Sequence, residues 1–147
     1  MKRTLCLFAI AVLATTPALA DPTGSWSFET KSEIKGCTIS GNMTIGPEEA
    51  EGERACSFIS QETCENIPDE VITIDQICRV RRHPVSKSLI INSQVAASLT
   101  EDYSVANYLP DNFNLDSVSK DKMTGMWWDT NFSAPVIFWR EKAKPSS

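Results

Sequence analysis

Cys37-Thr38-Ile39-Ser40-Gly41-Asn42-Met43-Thr44-Ile45 is the stretch that decides the fold, because polar residues take every second position along it. The positions between them carry a cysteine, a glycine and three large apolar residues. Successive side chains of a β-strand point to opposite faces of the sheet. The alternation therefore predicts a strand with one face buried and the other in water.

The same period of two recurs along most of the 147-residue chain. It predicts further strands over residues 26–30, 54–60, 71–82, 89–99, 112–118, 122–129 and 134–140, about eight strands in total. Short connections containing Gly, Pro, Asn and Asp separate these segments, as expected between sequential antiparallel strands. Residues 100–109 are the exception, because they predict a short helix that ends at Pro110.

These strands predict an all-β fold, an antiparallel up-and-down β-barrel of about eight strands. Closure into a barrel removes the unpaired edges that an open sheet would leave exposed. A flattened sandwich is the alternative architecture.

The amino terminus has the pattern of a secretory signal peptide. Lys2 and Arg3 precede an apolar run over residues 5–13, and Ala18-Leu19-Ala20 supplies small residues at a cleavage site. The run is shorter than the roughly 20 apolar residues of a membrane span. The sequence therefore predicts a signal peptide over residues 1–20, a single β-barrel domain over residues 21–147, and a periplasmic or secreted protein that does not span a membrane.

Four cysteines, Cys37, Cys56, Cys64 and Cys78, follow the predicted leader. Disulfides form and persist in oxidising compartments, so an even number of cysteines predicts a disulfide framework. A hairpin centred near Ile67 places Cys56 opposite Cys78, and Cys37 then pairs with Cys64 by proximity. The spacing lacks the C-x2-C pairs of zinc sites, so no metal is predicted.

Charge and motifs exclude several classes of function. The formal net charge of −5 disfavours a phosphate backbone as partner, so no nucleic-acid binding is expected. The sole histidine, His83, precedes Pro84 and is predicted to be a turn residue. We expect no cofactor and no enzymatic activity. A small hydrolase using two carboxylates is a further alternative, with candidates at Asp75, Asp111, Asp116 and Asp129.

The segment 123–128 carries large apolar residues on both faces of a predicted strand. Met123 and Trp127 share one face, and Met126 and Trp128 share the other. One pair should belong to the core, which leaves the other exposed or bound to a ligand. Aromatic and methionine side chains dominate binding hot spots. The predicted ligand-binding residues are Met126, Trp127, Trp128 and Trp139. The alternative is a core with apolar residues on both sides of the strand, or a lid formed by residues 100–109 that packs over the apolar pair.

Both ends of the predicted domain carry a family resemblance. Gly24-Ser25-Trp26 and Phe138-Trp139-Arg140 resemble the calycin pattern of lipocalins and related small barrels, in which a Gly-x-Trp on the first strand packs beneath an arginine from the last strand. The resemblance implies a structural cation–π contact between Trp26 and Arg140 that closes one end of the barrel.

Within the calycins, the chain also resembles bacterial periplasmic inhibitors of secreted metalloproteases in its size, leader and early disulfide. Those inhibitors place an extended N-terminal segment in the protease cleft, whereas only Asp21, Pro22 and Thr23 lie here between the predicted leader and Gly24. The chain also has four cysteines after the leader where the inhibitors have two.

The sequence as a whole predicts a disulfide-linked, calycin-like β-barrel that binds a small apolar, lipid or glycan ligand. The ligand is expected within the barrel or on a surface formed by Trp127, Trp128 and Trp139. Inhibition of a secreted protease is the alternative function.

Overall fold

Each strand pairs antiparallel with the strand before it and the strand after it, and the last strand pairs with the first. The computed structural model describes residues 19–142. The strands are β1 (Gly24–Ser32), β2 (Cys37–Ile45), β3 (Arg54–Cys64), β4 (Val71–Arg82), β5 (Leu89–Ser98), β6 (Asn112–Val118), β7 (Lys122–Trp128) and β8 (Ser133–Arg140). The predicted all-β barrel is confirmed, and closure rules out the sandwich. The predicted signal peptide lies almost wholly outside the described residues.

The predicted helix over residues 100–109 is reduced to one 3-10 turn, Val105–Asn107. Tertiary contacts explain the difference. Thr100 Oγ1 accepts a hydrogen bond from Thr73 N, which ties the start of the segment to β4. Near its other end, Tyr108 is buried against Ile72 and Ile74 of the same strand. Both anchors hold the segment extended across one end of the barrel. No helix within residues 19–142 has the length and hydropathy needed to cross a bilayer.

Aromatic rings fill the middle of the barrel. The ring centroid of Phe28 lies 5.7 Å from that of Phe58, 5.2 Å from that of Phe113 and 5.1 Å from that of Phe138. Gly41 occupies an inward position of β2 beside this cluster. A Cβ built at that position would lie only 2.7 Å from Phe28 Cζ. The glycine in the alternating stretch therefore makes room for an aromatic ring.

The strand register confirms both predicted disulfides. Cys37 lies directly opposite Cys64 across β2 and β3, and Cys56 lies directly opposite Cys78 across β3 and β4. The pairs are bonded as Cys37–Cys64 and Cys56–Cys78. All four cysteine side chains are buried. The two disulfides therefore join β2, β3 and β4 on the interior side of the barrel.

Candidate functional site

The two ends of the barrel differ in chemistry. The polar end is formed by the β1–β2, β3–β4, β5–β6 and β7–β8 connections. The arginine end is formed by the other three connections and the segment that enters β1. We name it for the side chains of Arg54, Arg82 and Arg140, each of which donates a hydrogen bond to residues 20–23.

At the arginine end, Arg140 lies over Trp26, with its Cζ 4.2 Å from the ring centroid. This is the contact that the calycin resemblance implied. Arg140 also donates hydrogen bonds to the backbone carbonyls of Lys120, Thr23 and Asp21. Gly24 has φ of 125°, and a Cβ there would lie 2.7 Å from Arg140 Nη1. A glycine at this position therefore permits the close approach of the guanidinium.

Replacement of Arg140 by alanine is expected to lower the free energy of unfolding by about 2–3 kcal/mol, because stacking and charge-assisted hydrogen bonds are lost together. Arg140→Lys should recover only part of the loss, since an ammonium group lacks the planar fork of a guanidinium. Urea denaturation followed by tryptophan fluorescence measures both changes. Arg79→Ala is the control, because Arg79 forms solvent-exposed ion pairs with Glu49 and Glu53 and its loss should change stability little. If Arg140→Ala and Arg79→Ala lowered the free energy of unfolding equally, the proposal that Arg140 closes one end of the barrel would be contradicted.

At the polar end, a buried carboxylate organises the interior. Asp111, which precedes β6, is almost inaccessible to solvent. Its Oδ1 accepts from Trp127 Nε1 at 2.8 Å, and its Oδ2 accepts from Gln76 Nε2 at 2.7 Å and from Tyr108 Oη at 2.9 Å. Gln76 Oε1 in turn accepts from the backbone N–H of Asp111 at 3.0 Å. The carboxylate thus joins the β5–β6 connection to β4 and β7.

Lys35 lies at the same end, on the β1–β2 connection. Its Nζ is 2.8 Å from Glu62 Oε2 and 3.6 Å from Asp129 Oδ2, and both carboxylates are buried. The same Nζ lies 5.8 Å from the centroid of Trp127 and 6.0 Å from that of Phe132. Lys35 therefore places its positive charge between two carboxylates and two aromatic rings, and links three parts of the polar end.

Burial and hydrogen bonding shift the pKa values of these groups. Burial raises the pKa of Asp111, and the hydrogen bonds from Trp127, Gln76 and Tyr108 offset only part of that rise. Burial, followed by the charge of Asp111, raises the pKa of Tyr108. Burial alone would lower the pKa of Lys35, but the hydrogen bond and charge of Glu62 outweigh it and raise the pKa. Lys35 stays cationic and Tyr108 neutral at physiological pH.

An apolar row crosses the outside of the barrel on β7 and β8. We call it the tryptophan face and define it as Met126, Trp128, Ile137 and Trp139. Their exposed fractions are 42%, 40%, 47% and 44%. Met126 lies opposite Pro135 across the strand pair, which extends the apolar surface. Shallow depressions adjoin the row beside Ile137 and beside Trp139.

The structure separates the four residues predicted to bind a ligand. Met126, Trp128 and Trp139 lie on the outer surface, but Trp127 is fully buried with Met123 in the barrel core. The prediction that Trp127 shares an exposed surface with Trp128 and Trp139 is therefore wrong. The physical reason is that alternation places Trp127 and Trp128 on opposite faces, and the indole N–H of Trp127 is satisfied inside by Asp111.

The other candidates from the sequence also have defined positions. His83 is a turn residue as predicted, because its Nδ1 accepts from the backbone N–H groups of Val85 and Ser86. Asp129 accepts from the N–H groups of Asn131 and Phe132 in another turn.

The roles of Gln76 and Lys35 were not predicted from the sequence, and Asp111 was predicted only as a possible catalytic carboxylate. One signal was present for Gln76, because it occupies an inward position of β4 between Ile74 and Cys78. A polar residue in an inward position needs a buried partner. Nothing comparable marks Asp111 or Lys35, since both lie in connections rather than strands.

Comparisons with known proteins yield the fold and no family. No protein-family model matches the chain, and no curated protein matches it. A de novo designed fluorescence-activating β-barrel is similar with a TM-score of 0.54 and 14% identity, over 82% of this chain and 93% of the designed one. A redesigned β-barrel bound to DFHBI matches with a TM-score of 0.53 and 14% identity, over 81% and 97% of the two chains.

The likeness is one of fold. At this level of identity it shows that the chain adopts the architecture of a small closed barrel. The calycin resemblance stays a prediction that rests on the residues quoted for it.

Proposed function

We propose that this protein is a secreted or periplasmic β-barrel that binds a small ligand on its tryptophan face. The observation that carries the proposal is the row of four large, partly exposed apolar side chains on regular strands. Aromatic and methionine side chains are frequent in binding hot spots. Strands hold these side chains in place before the ligand arrives, which lowers the entropic cost of binding.

Packing of the interior favours an outer site over an inner one. The redesigned barrel shows that this architecture accepts a small molecule, because it was solved with DFHBI bound. In the present chain, Phe28, Phe58, Phe113 and Phe138 pack against one another in the middle of the barrel. A ligand inside would have to displace this cluster, whereas a ligand on the tryptophan face displaces only water.

Two features support the proposed location. The leader pattern over residues 1–20 is typical of secreted proteins. Two disulfides join β2, β3 and β4, and such bonds are typical of extracellular and periplasmic proteins.

The geometry of the amino-terminal segment favours binding over protease inhibition. Pro22 O accepts a hydrogen bond from Trp26 Nε1 at 2.8 Å, and Thr23 bonds with both Arg54 and Arg140. A segment held in this way would have to leave its partners to enter a protease cleft. The proposed function is therefore ligand binding, with protease inhibition as the alternative.

The candidate carboxylates likewise favour binding without catalysis. Asp75 and Asp116 occupy outward positions of β4 and β6. Asp111 and Asp129 lie at the polar end, where Asp111 accepts three side-chain hydrogen bonds and Asp129 caps a turn. Asp111 and Asp129 are therefore both engaged in hydrogen bonds within the protein.

The double variant Trp128→Ala/Trp139→Ala is expected to weaken ligand binding at least about tenfold, because truncation of a hot-spot aromatic removes most of its contact. Isothermal titration calorimetry with cis-parinaric acid, cellohexaose and chitohexaose tests apolar and glycan ligands separately. The matched control is Ile59→Ala/Ile77→Ala, which removes exposed apolar side chains from β3 and β4. Circular dichroism verifies that both variants fold.

Besides a failure of the wild-type protein to bind any probe, two results of these titrations and a parallel inhibition assay would contradict the proposal. One is tight binding of a probe that neither double variant weakens. The other is stoichiometric inhibition of thermolysin that persists in Trp128→Ala/Trp139→Ala with no probe bound, which would favour the inhibitor alternative.

A further inference from the structure

We infer that the ligand of the tryptophan face is an extended oligosaccharide, an inference that rests on the proposed function. The first observation is the length of the row. Trp128 lies opposite Ser133, at the polar end of β8, and Trp139 lies near the other end of that strand. At about 3.3 Å per residue the two indoles are roughly 20 Å apart along the strand. A ligand that contacts both must be long and extended.

The second observation is that each member of the row has a polar neighbour. Residues directly opposite in a strand pair point to the same face of the sheet. On the outer sides of β7 and β8 the cross-strand pairs are Trp128 with Asn112, Met126 with Asn114, Ile137 with Glu29 and Trp139 with Ser27. Between β7 and β8, Ile137 also lies opposite Thr124 and Trp139 opposite Lys122. Each of the four apolar side chains of the tryptophan face therefore has a polar side chain next to it.

Two of these polar neighbours are available to a ligand. Within residues 19–142, the side chains of Glu29 and Asn114 form no hydrogen bond or ion pair with another residue. They flank Ile137 and Met126, in the middle of the row. Glu29 offers a carboxylate that accepts hydrogen bonds, and Asn114 offers an amide that both donates and accepts. These groups match the hydroxyl groups at the edge of a sugar ring.

This combination fits a sugar better than the other occupants of an apolar surface. The C–H groups of a pyranose face carry partial positive charge and suit the negative face of an indole. A lipid chain would cover Glu29 and Asn114 without satisfying them, which costs free energy. A second copy of the chain needs roughly 20–30 residues a side for a stable interface, far more than this row provides.

Calorimetry with β-1,4-linked sugars of two lengths tests the inference. Cellohexaose and chitohexaose reach both indoles, whereas cellobiose and chitobiose reach one. We expect at least one hexasaccharide to bind at least about tenfold more tightly than its disaccharide. Trp128→Ala and Trp139→Ala should each abolish that advantage, because only one indole remains. Glu29→Ala and Asn114→Ala should weaken hexasaccharide binding several-fold.

The outcomes distinguish the oligosaccharide inference from the proposed function. If cis-parinaric acid binds in a Trp128- and Trp139-dependent manner while no hexasaccharide binds, the oligosaccharide inference is overturned and the proposed function holds. If none of the probes binds to the wild-type protein, both fail. Sedimentation velocity adds a third readout, because a dimer that Trp128→Ala dissociates would assign the face to a second copy and overturn both.

Discussion

Replacement of Asp111 by alanine is expected to lower the free energy of unfolding by about 3–5 kcal/mol, because several buried donors lose their acceptor together. The substitution removes the Asp111 acceptor of three buried donors, on Trp127, Gln76 and Tyr108, and of these Gln76 Nε2 keeps a second acceptor in Ser60 Oγ. Each unsatisfied buried group costs about 1–3 kcal/mol. Urea denaturation followed by near-UV circular dichroism measures the change.

The control is Asp116→Ala, which removes the same side chain from an exposed position on the strand that follows. Asp116→Ala should leave the free energy of unfolding within about 0.5 kcal/mol of wild type. A loss below about 1 kcal/mol for Asp111→Ala would mean that water replaces the carboxylate, and would contradict its central role in the polar end.

The pH dependence of the Asp111 network has a definite sign. Burial raises the pKa of Asp111 in the folded protein above its value in the unfolded chain. Its protonation therefore stabilises the fold fully below an unfolded pKa of about 3.9, and that stabilisation is lost as pH rises through the folded pKa. The variant Asp111→Asn carries an amide at this position, which has no titratable group. The stability of wild type relative to Asp111→Asn should fall from pH 3.5 to pH 8, and a difference that grows with pH would contradict this sign.

Phe113→Ala is expected to cost about 3–5 kcal/mol of unfolding free energy, the usual range for truncating a buried phenylalanine. Phe113 is fully buried, and its ring centroid lies 5.2 Å from that of Phe28, 5.8 Å from that of Phe58 and 5.2 Å from that of Phe138. Surrounding strands are held by the closed hydrogen-bond network, so the interior should not collapse onto the space that alanine leaves. Thermal and urea denaturation measure the loss.

A ligand test distinguishes an empty cavity from a relaxed core. A dry apolar cavity binds small aromatic molecules. Toluene should therefore raise the melting temperature of Phe113→Ala and leave that of the wild type unchanged. Phe132→Ala is the control, because Phe132 is only partly buried at the polar end and we expect its truncation to leave a space open to solvent. Stabilisation of the wild type by toluene would show that its interior already accepts a ligand, and would weaken the argument for an outer site.

Strand positions and disulfides could be predicted because both depend on local regularities. Alternation in β2 appears in the order of the residues themselves, since the pleat has a period of two. The hairpin register follows from the position of one turn, and the turn near Ile67 determines that Cys56 meets Cys78. These properties need only residues that are close in the chain or joined by one hairpin.

The assignment of faces needed more than the pattern. Met123 with Trp127, and Met126 with Trp128, were two equally apolar pairs on opposite faces of β7. A period of two separates the pairs but does not say which one faces the interior. The structure decides it through Asp111, whose Oδ1 accepts the indole N–H of Trp127.

By itself, then, the sequence determined the all-β class, the strand positions and the two disulfide pairings, because side-chain alternation and hairpin register are local. Only the tertiary structure decided what the barrel presents inside and outside. Closure brings β8 beside β1, which places Glu29 next to Ile137 although the two are more than a hundred residues apart. The Asp111 network likewise joins β4, the β5–β6 connection and β7. Contacts of this kind depend on how distant strands meet, and no local pattern in the chain records that.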